Sequence, residues 1–475
     1  MRFYGRAEEL KALREANWRD QAQLIVVYGR RRVGKTALVE QAFSQELVWK
    51  FDGLEGLSQK QQLAHFQRQL CLHAGRPHSE APPTDWEDAF GRLAAAIQGQ
   101  KDRPLVVFFD EFQWMVGMRS AAVSLFKSCW DNVFAKHRNL RFVLCGSISS
   151  FMVKRVIRSR ALYGRVSTEI ELPPLTLRDA YSFFEGERSR EEVIETAMCL
   201  GCVPQYLKEL NPRLSLVQNL NEYAFSPQGY FFGEYQRIFI SHFGRNPSYE
   251  RVLQILADGP QSTARLASSC RTKTGGTFTS ILQDLSLAGF VERYVPLNKG
   301  EGSRHVRYRM LDEFLHFHAR FIQRHEQEIR TGRYSSLQAF HGNAYAQWQG
   351  YAFERLCRRH AVLIADHLRF SGVQYKSGSW FHAPAEGESP ERSGAQVDLL
   401  FDRADRMLTL CGVKFAQKLE AERLVKSVEA KCAALRQAYP RHGIQKVLIL
   451  GRAAAIPKKI EGAFDEILRA VDLFF

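Results

Sequence analysis

Four residues at fixed spacing carry the first chemical signal in this sequence. Gly29, four residues, then Gly34, Lys35 and Thr36 directly follow the apolar run Leu24 to Tyr28 and open into the helix-compatible stretch ALVEQAF. Two glycines let the backbone bend until its N–H groups converge on an anion, and a helix starting near Lys35 adds its positive dipole end. Gly29, Val33, Gly34, Lys35, Thr36 and Ala37 are therefore expected to line a polyphosphate. Lys35 would reach the β- and γ-phosphates, and the Thr36 hydroxyl would ligate Mg²⁺. A second run, LVVFFDE from Leu105 to Glu111, ends in two carboxylates. That pattern suits a strand buried on both faces whose end emerges beside the phosphate loop. There Asp110 would hold Mg²⁺ through water and Glu111 would polarise an attacking water. The bland alternatives are a glycine-rich turn and an acidic helix cap. The two signals at this separation favour nucleoside triphosphate chemistry, with ATP and Mg²⁺ as the expected ligands.

The elements that position these residues can be read around them. VWKFD (Val48 to Asp52) reads as a second strand, Ser58 to Cys71 and Asp85 to Gln98 as amphipathic helices, and Leu140 to Ser147 as another buried strand. At 475 residues and 45% hydrophobic content the chain should hold two to four domains with several cores. A net charge of +15 attracts polyanions and equally fits a protein that binds only nucleotide. No 18-residue apolar run occurs and MRFYGRAEEL lacks a signal-peptide core, so a cytoplasmic, soluble protein with no membrane partner is expected. The nine cysteines are scattered, and Cys199 and Cys202 form one CxxC with no second pair, which favours reduced thiols over zinc.

Upstream of the loop, RFYGRAEEL combines an aromatic pair, a Gly-Arg turn and an acidic helix start. This segment, one short helix before a P-loop, resembles the STAND branch of AAA+-type ATPases, in particular archaeal and bacterial ATPases with a C-terminal nuclease-like domain. The resemblance implies that Tyr4, Gly5 and Arg6 lie near the base and that Ser147 senses the γ-phosphate. It implies that Arg165, in the acid-free run from Arg141 to Thr168, stabilises charge on the transferring phosphoryl group, either in cis or from a neighbouring protomer. It also matches Gly201-Cys-Val-Pro204 to the turn that couples a helical lid to the nucleotide, which adds Pro204 to the expected contacts. The bland readings are a turn serine, a solvated basic face and a plain helix–helix corner.

Ser248 to Leu311 has the rhythm of a winged helix: three helices, then VERYVPL and RHVRYRM around the turn NKGEGS. Its third helix carries Thr277, Ser280, Gln283 and Asp284 and no cation, while Arg265, Arg271, Lys273, Lys299, Arg304, Arg307 and Arg309 lie in the wing and its approaches. DNA contact, mainly to backbone, and a structural arm both remain open. Phe314 to Arg330 and Ser335 to Arg358 read as bridging helices. In the last domain Glu354 on a helix starting near Tyr351, Asp398 on a strand and Lys414 on the next strand resemble the order of the PD-(D/E)xK nuclease core. Gly412 stands where a carboxylate belongs, so the resemblance implies a nuclease-like fold with cleavage absent or feeble. KLEAERLVKSVEAKCAALRQAYP reads as a helix pair.

The expected fold class is α/β: a P-loop NTPase core with a parallel sheet (1–174), a helical lid (175–240), a winged helix (241–312), a helical linker (313–350) and a nuclease-like α/β domain (351–475). The expected function is an ATPase whose nucleotide state repositions the later modules. ATP-dependent DNA cleavage and a low-turnover DNA-binding or partner-sensing switch, with a protein partner or self-association, are the alternatives.

Overall fold

A computed structural model describes residues 3–15, 21–77, 80–100, 104–117, 121–147, 149–244, 246–300, 303, 305–381, 396–452 and 455–474. The chain forms two compact units. The first comprises Met1–Leu175 with Val203–Gln205 and Leu287–Gly289, and the second comprises Thr176–Cys202, Tyr206–Ser286 and Phe290–Phe475.

The first unit is built on a parallel sheet of five strands, β1 (Gln23–Tyr28), β2 (Leu47–Asp52), β3 (Leu105–Asp110), β4 (Leu140–Gly146) and β5 (Thr168–Glu171), in the order β2-β3-β4-β1-β5. Every residue of β1, β3 and β4 is buried, which explains their unbroken apolar runs. Side chains alternate between two cores. Leu24, Val26, Val107 and Phe109 enter one with Phe66, Phe90, Phe126 and Phe142, while Ile25, Val27, Val106 and Phe108 enter the other with Leu38 and Phe43. Phe109 meets Phe142 edge-on, with ring centroids 4.8 Å apart. Helices begin where side-chain caps allow. Ser58 forms a capping box with Gln61 before Gln59–Ala74, and Asp85 caps Trp86–Ile97.

After the first sheet the chain forms helices Leu177–Phe183, Arg190–Leu200 and Pro204–Glu209, later Pro247–Leu256, Thr263–Ser269 and Gly276–Leu287, which belong to the second unit except for Pro204, Gln205 and Leu287. A small antiparallel sheet comes next in the order β6-β8-β7, from β6 (Gln261–Ser262), β7 (Val291–Tyr294) and β8 (Arg307–Met310). A second five-stranded sheet has the order β13-β12-β11-β10-β9, from β9 (Tyr375–Phe381), β10 (Gln396–Arg403), β11 (Met407–Lys414), β12 (Gly443–Leu450) and β13 (Glu466–Arg469). Its β9, β10 and β11 pair antiparallel, and β11, β12 and β13 pair parallel. Among the described residues no helix is long and apolar enough to cross a membrane. Arg304 lies outside the described residues.

Three expectations of helix structure are corrected. The Ser335–Arg358 segment is two helices, Ser336–Phe340 and Asn343–Arg359, broken at Gly342, whose φ of 134° is foreign to a helix. Tyr351 is therefore mid-helix rather than a start. The stretch after Lys418 is one helix, Ala421–Ala438, because no Gly or Pro interrupts its apolar face of Leu424, Val428, Cys432 and Leu435. Finally, Glu313–Phe317 passes into a π-helical turn, His318–Ile322, instead of continuing as a regular helix.

Candidate nucleotide site

The sheet order decides what meets at its carboxyl end. Because β4 lies between β1 and β3, the loop after β1, Ser147 after β4 and the acid pair after β3 sit side by side. Gly29 (φ 149°) and Gly34 (φ 92°) both take backbone conformations that side chains resist, and Gly34 caps the helix Lys35–Ala42. A Cβ on Gly29 would sit 2.4 Å from the Leu172 carbonyl oxygen. Gly29→Ala is therefore expected to cost about 1–3 kcal/mol in loop distortion and weaken ATP binding by roughly tenfold or more. Calorimetric titration checks this, and an unchanged affinity would contradict it.

The Thr36 hydroxyl donates to Asp110 Oδ2 at 2.7 Å, so the first turn of the loop helix touches the end of β3. Burial raises the Asp110 carboxyl above its ordinary range, against the Thr36 hydrogen bond and the Lys50 charge, which lower it. A hydroxyl and a carboxylate at this distance suit a hard divalent cation, which would relieve the burial penalty on Asp110. Lys35 donates to the Gly29 and Arg30 carbonyls, each at 3.0 Å. Glu111 has left-handed backbone (φ 49°, ψ 47°) and its Oε2 accepts from the Ser147 hydroxyl at 2.6 Å, the Ser147 N–H at 3.3 Å and the Gln113 amide. Burial pushes the Glu111 carboxyl up, but Lys35, Ser147, Gln113 and Arg31 outweigh it and hold it below its ordinary value, so it is ionised at neutral pH.

The N-terminal segment joins the same loop. Arg6 (φ 66°) is buried and donates to the Val33 carbonyl at 3.3 Å and to the Pro173 carbonyl, while pairing with Glu9 at 3.2 Å. Its guanidinium thus ties Gly5 and the Ala7–Glu15 helix to the P-loop, with Tyr4 one residue before this turn. Gln205, next to Pro204, donates its N–H to the Arg32 carbonyl at 3.4 Å.

Arg165 is not brought to this cluster. Ser167 donates to the Leu24 carbonyl and Thr168 pairs with Ile25, which puts this segment at the amino end of the sheet. A strand's length, roughly 16–20 Å, separates that end from the P-loop. The Arg165 guanidinium grips both oxygens of Asp131 at 2.6 and 2.8 Å, holding the Asp131 carboxyl at about 2. From there it has no geometry for a role in its own chain's site.

Two residues escaped the sequence reading. Gln113 bridges Glu111 and Ser147, donating to the latter at 3.2 Å, and its position two after the acid pair was the available signal. Lys50 on β2 lies 3.7 Å from Asp110, reached through the β2–β3 register rather than through any motif.

In the second unit, Glu354, Asp398 and Lys414 do converge. The Glu354 carboxyl is pushed up to about 7, by burial first and then by the charge of Asp398, against Arg358, Lys414 and Lys431. Gly412 offers no third carboxylate, and space at its Cβ is bounded by Phe464 and Leu448. Among the described residues no group of three or more His, Cys, Asp or Glu side chains is placed to hold a metal.

Sheet order, loop and acid pair together define the first unit as an ATPase-like P-loop NTPase core. Residues 3–210 match the family model of an ATPase domain predominantly from Archaea. The chain is 26% identical over 385 residues to an uncharacterized protein of Methanocaldococcus jannaschii, covering 81% of this chain and 83% of the relative. Among solved structures it is similar to the Walker-type ATPase paby2304 of Pyrococcus abyssi, with 17% identity and a TM-score of 0.51 over 67% of this chain and 96% of that one. It also aligns with the ORC2 protein of Aeropyrum pernix in its ADPNP-ADP complexes, with 14% identity and a TM-score of 0.42 over 66% of this chain and 93% of that one.

Proposed function

We propose that the chain binds and hydrolyses ATP with Mg²⁺ and uses its nucleotide state as a switch of the STAND/AAA+ kind. The observation that carries this reading is the 2.7 Å contact of Thr36 with Asp110, beside a Glu111 already ionised and oriented by Ser147 and Gln113. Thr36 and Asp110 would hold the cation, whose charge would neutralise the β- and γ-phosphate oxygens. The loop amides and Lys35 bind the polyphosphate, Glu111 takes the proton of the attacking water, and Arg6 fixes the segment expected at the base. Arg165 would contribute only to another copy's site. The stretch Gly201–Gln205 supports the switch: Val203–Gln205 clusters with the first unit and the residues on either side with the second.

The module from Pro247 to Met310 reads as a winged helix with a structural role. Arg309, one of its cations, is spent on Glu292 at 2.6 and 2.9 Å. The C-terminal module reads as nuclease-like and inactive, because Gly412 withholds a ligand. Steady-state phosphate release from ATP tests the central claim: Lys35→Ala should lower turnover by roughly 10²–10³-fold. Activity equal to the parent chain would refute it.

A further inference from the structure

Three consecutive arginines, Arg30 to Arg32, stand in the phosphate loop between Gly29 and Val33. Arg30 is buried, whereas the Arg31 side chain is 34% exposed and pairs with Glu55, itself 41% exposed, at 3.3 Å. Glu55 belongs to the loop after β2. In the sheet order β2-β3-β4-β1-β5 the strands β1 and β2 are not neighbours, since β4 and β3 lie between them. Three strand spacings, about 14 Å, separate their ends. An ion pair between the loops that follow them must therefore cross the carboxyl ends of β4 and β3, which lead into Ser147 and into the Asp110–Glu111 pair.

The far end of this bridge is anchored on the acid pair. The Gly53 N–H donates to the Asp110 carbonyl at 2.9 Å, and a Cβ on Gly53 would sit 2.4 Å from the Glu111 carbonyl oxygen. Glu55 follows two residues later, so it draws the Arg31 guanidinium from the phosphate loop toward Glu111. Arg31 is accordingly among the charges that hold the buried Glu111 carboxyl down, behind Lys35, Ser147 and Gln113.

Hydrolysis needs a cation at this place. When water attacks the γ-phosphorus its proton passes to Glu111, the bond from that phosphorus to the β–γ bridging oxygen breaks, and negative charge grows on the bridging and γ-oxygens. Arg165 rests at the other end of the sheet, on Asp131. Arg31 stands in the loop that wraps the phosphates. An accessible ion pair such as Arg31–Glu55 is weak, and several phosphate oxygens outcompete one carboxylate for a planar guanidinium fork.

We propose that Arg31 is a catalytic residue of its own chain: it leaves Glu55 for the γ-phosphate of ATP and stabilises charge on the transferring phosphoryl group, with Glu55 as the latch that holds it beforehand. This rests on the ATPase reading above. Phosphate release and calorimetric titration with ATP and ADP on the full chain test it. Arg31→Ala is expected to lower kcat by roughly 10²–10³-fold and to weaken ATP while leaving ADP affinity unmoved. Arg31→Lys keeps the charge without the fork and should recover only part of the rate. Glu55→Gln should tighten ATP, and not ADP, by about two- to fivefold, the strength of one accessible ion pair. A kcat for folded Arg31→Ala within about threefold of the parent would overturn the proposal. So would a loss that disappears as pH rises, because Arg31 would then act only by keeping Glu111 ionised. An ATP affinity unmoved by Glu55→Gln would remove the latch. A parent chain that binds ATP without turnover would sink the ATPase reading alone; Arg31 is then judged on binding, where an ATP-to-ADP affinity ratio unmoved by Arg31→Ala overturns its contact with the γ-phosphate. A parent chain that binds no ATP sinks both.

Discussion

Glu111→Gln should leave ATP affinity nearly intact and reduce turnover by about 10²–10⁴-fold, the usual contribution of a positioned general base. The amide is isosteric and still accepts from the Ser147 hydroxyl and N–H, so the left-handed backbone at this position has no new reason to relax. What it loses is the negative charge that Lys35 and Arg31 now stabilise, and with it the capacity to take a proton. Single-turnover hydrolysis with a parallel binding measurement separates the two effects. A rate within twofold of the parent would remove Glu111 from the mechanism, and a parallel loss of affinity would recast it as a structural residue.

The second large effect is on stability and lies far from the nucleotide. Arg359→Ala is expected to destabilise the second unit by about 3–5 kcal/mol, the range for removing one partner of a buried ion pair. Arg359 reaches both carboxylate oxygens of Glu313 at 2.8 and 2.9 Å, and the Glu313 side chain is only 3% exposed. Without Arg359 the Glu313 carboxylate loses the Arg359 hydrogen bonds and keeps only the charge of Arg355 close by, and its surroundings are tight, since a Cβ on Gly201 would already lie 2.7 Å from Glu313 Oε2. Adding Glu313→Gln to Arg359→Ala should recover part of the loss, since an amide is cheaper to bury than a charge. Urea unfolding followed by tryptophan fluorescence reads both variants. A loss below about 1 kcal/mol for the single change would mean the pair is more hydrated than its geometry implies.

What could be read from sequence divides along physical lines. β1, β3 and β4 were legible because burial on both faces leaves continuous apolar runs, and the phosphate loop because its glycines answer a backbone requirement at fixed spacing. The contact of Lys50 with Asp110 was not, because it depends on strand register. Arg165 shows a different limit. Its neighbours place it correctly before a strand, but motif order does not say at which end of the sheet a side chain comes to rest, and Asp131 had no mark as its partner. β9 escaped notice because Tyr375–Phe381 alternates polar and apolar residues only weakly and pairs with β10 across residues outside the described set. Gly342 carries the one sequence mark of the break between Ser336–Phe340 and Asn343–Arg359, a residue that adopts a φ of 134° where others resist it.

The Lys35 ammonium is already coordinated by two main-chain oxygens of its own loop, Gly29 and Arg30. Any incoming group must compete with those dipoles before it recruits the cation. A ligand carrying one negative charge gains little from that exchange, and one carrying several gains much. Discrimination by charge density thus begins in the loop itself, ahead of any recognition of the base.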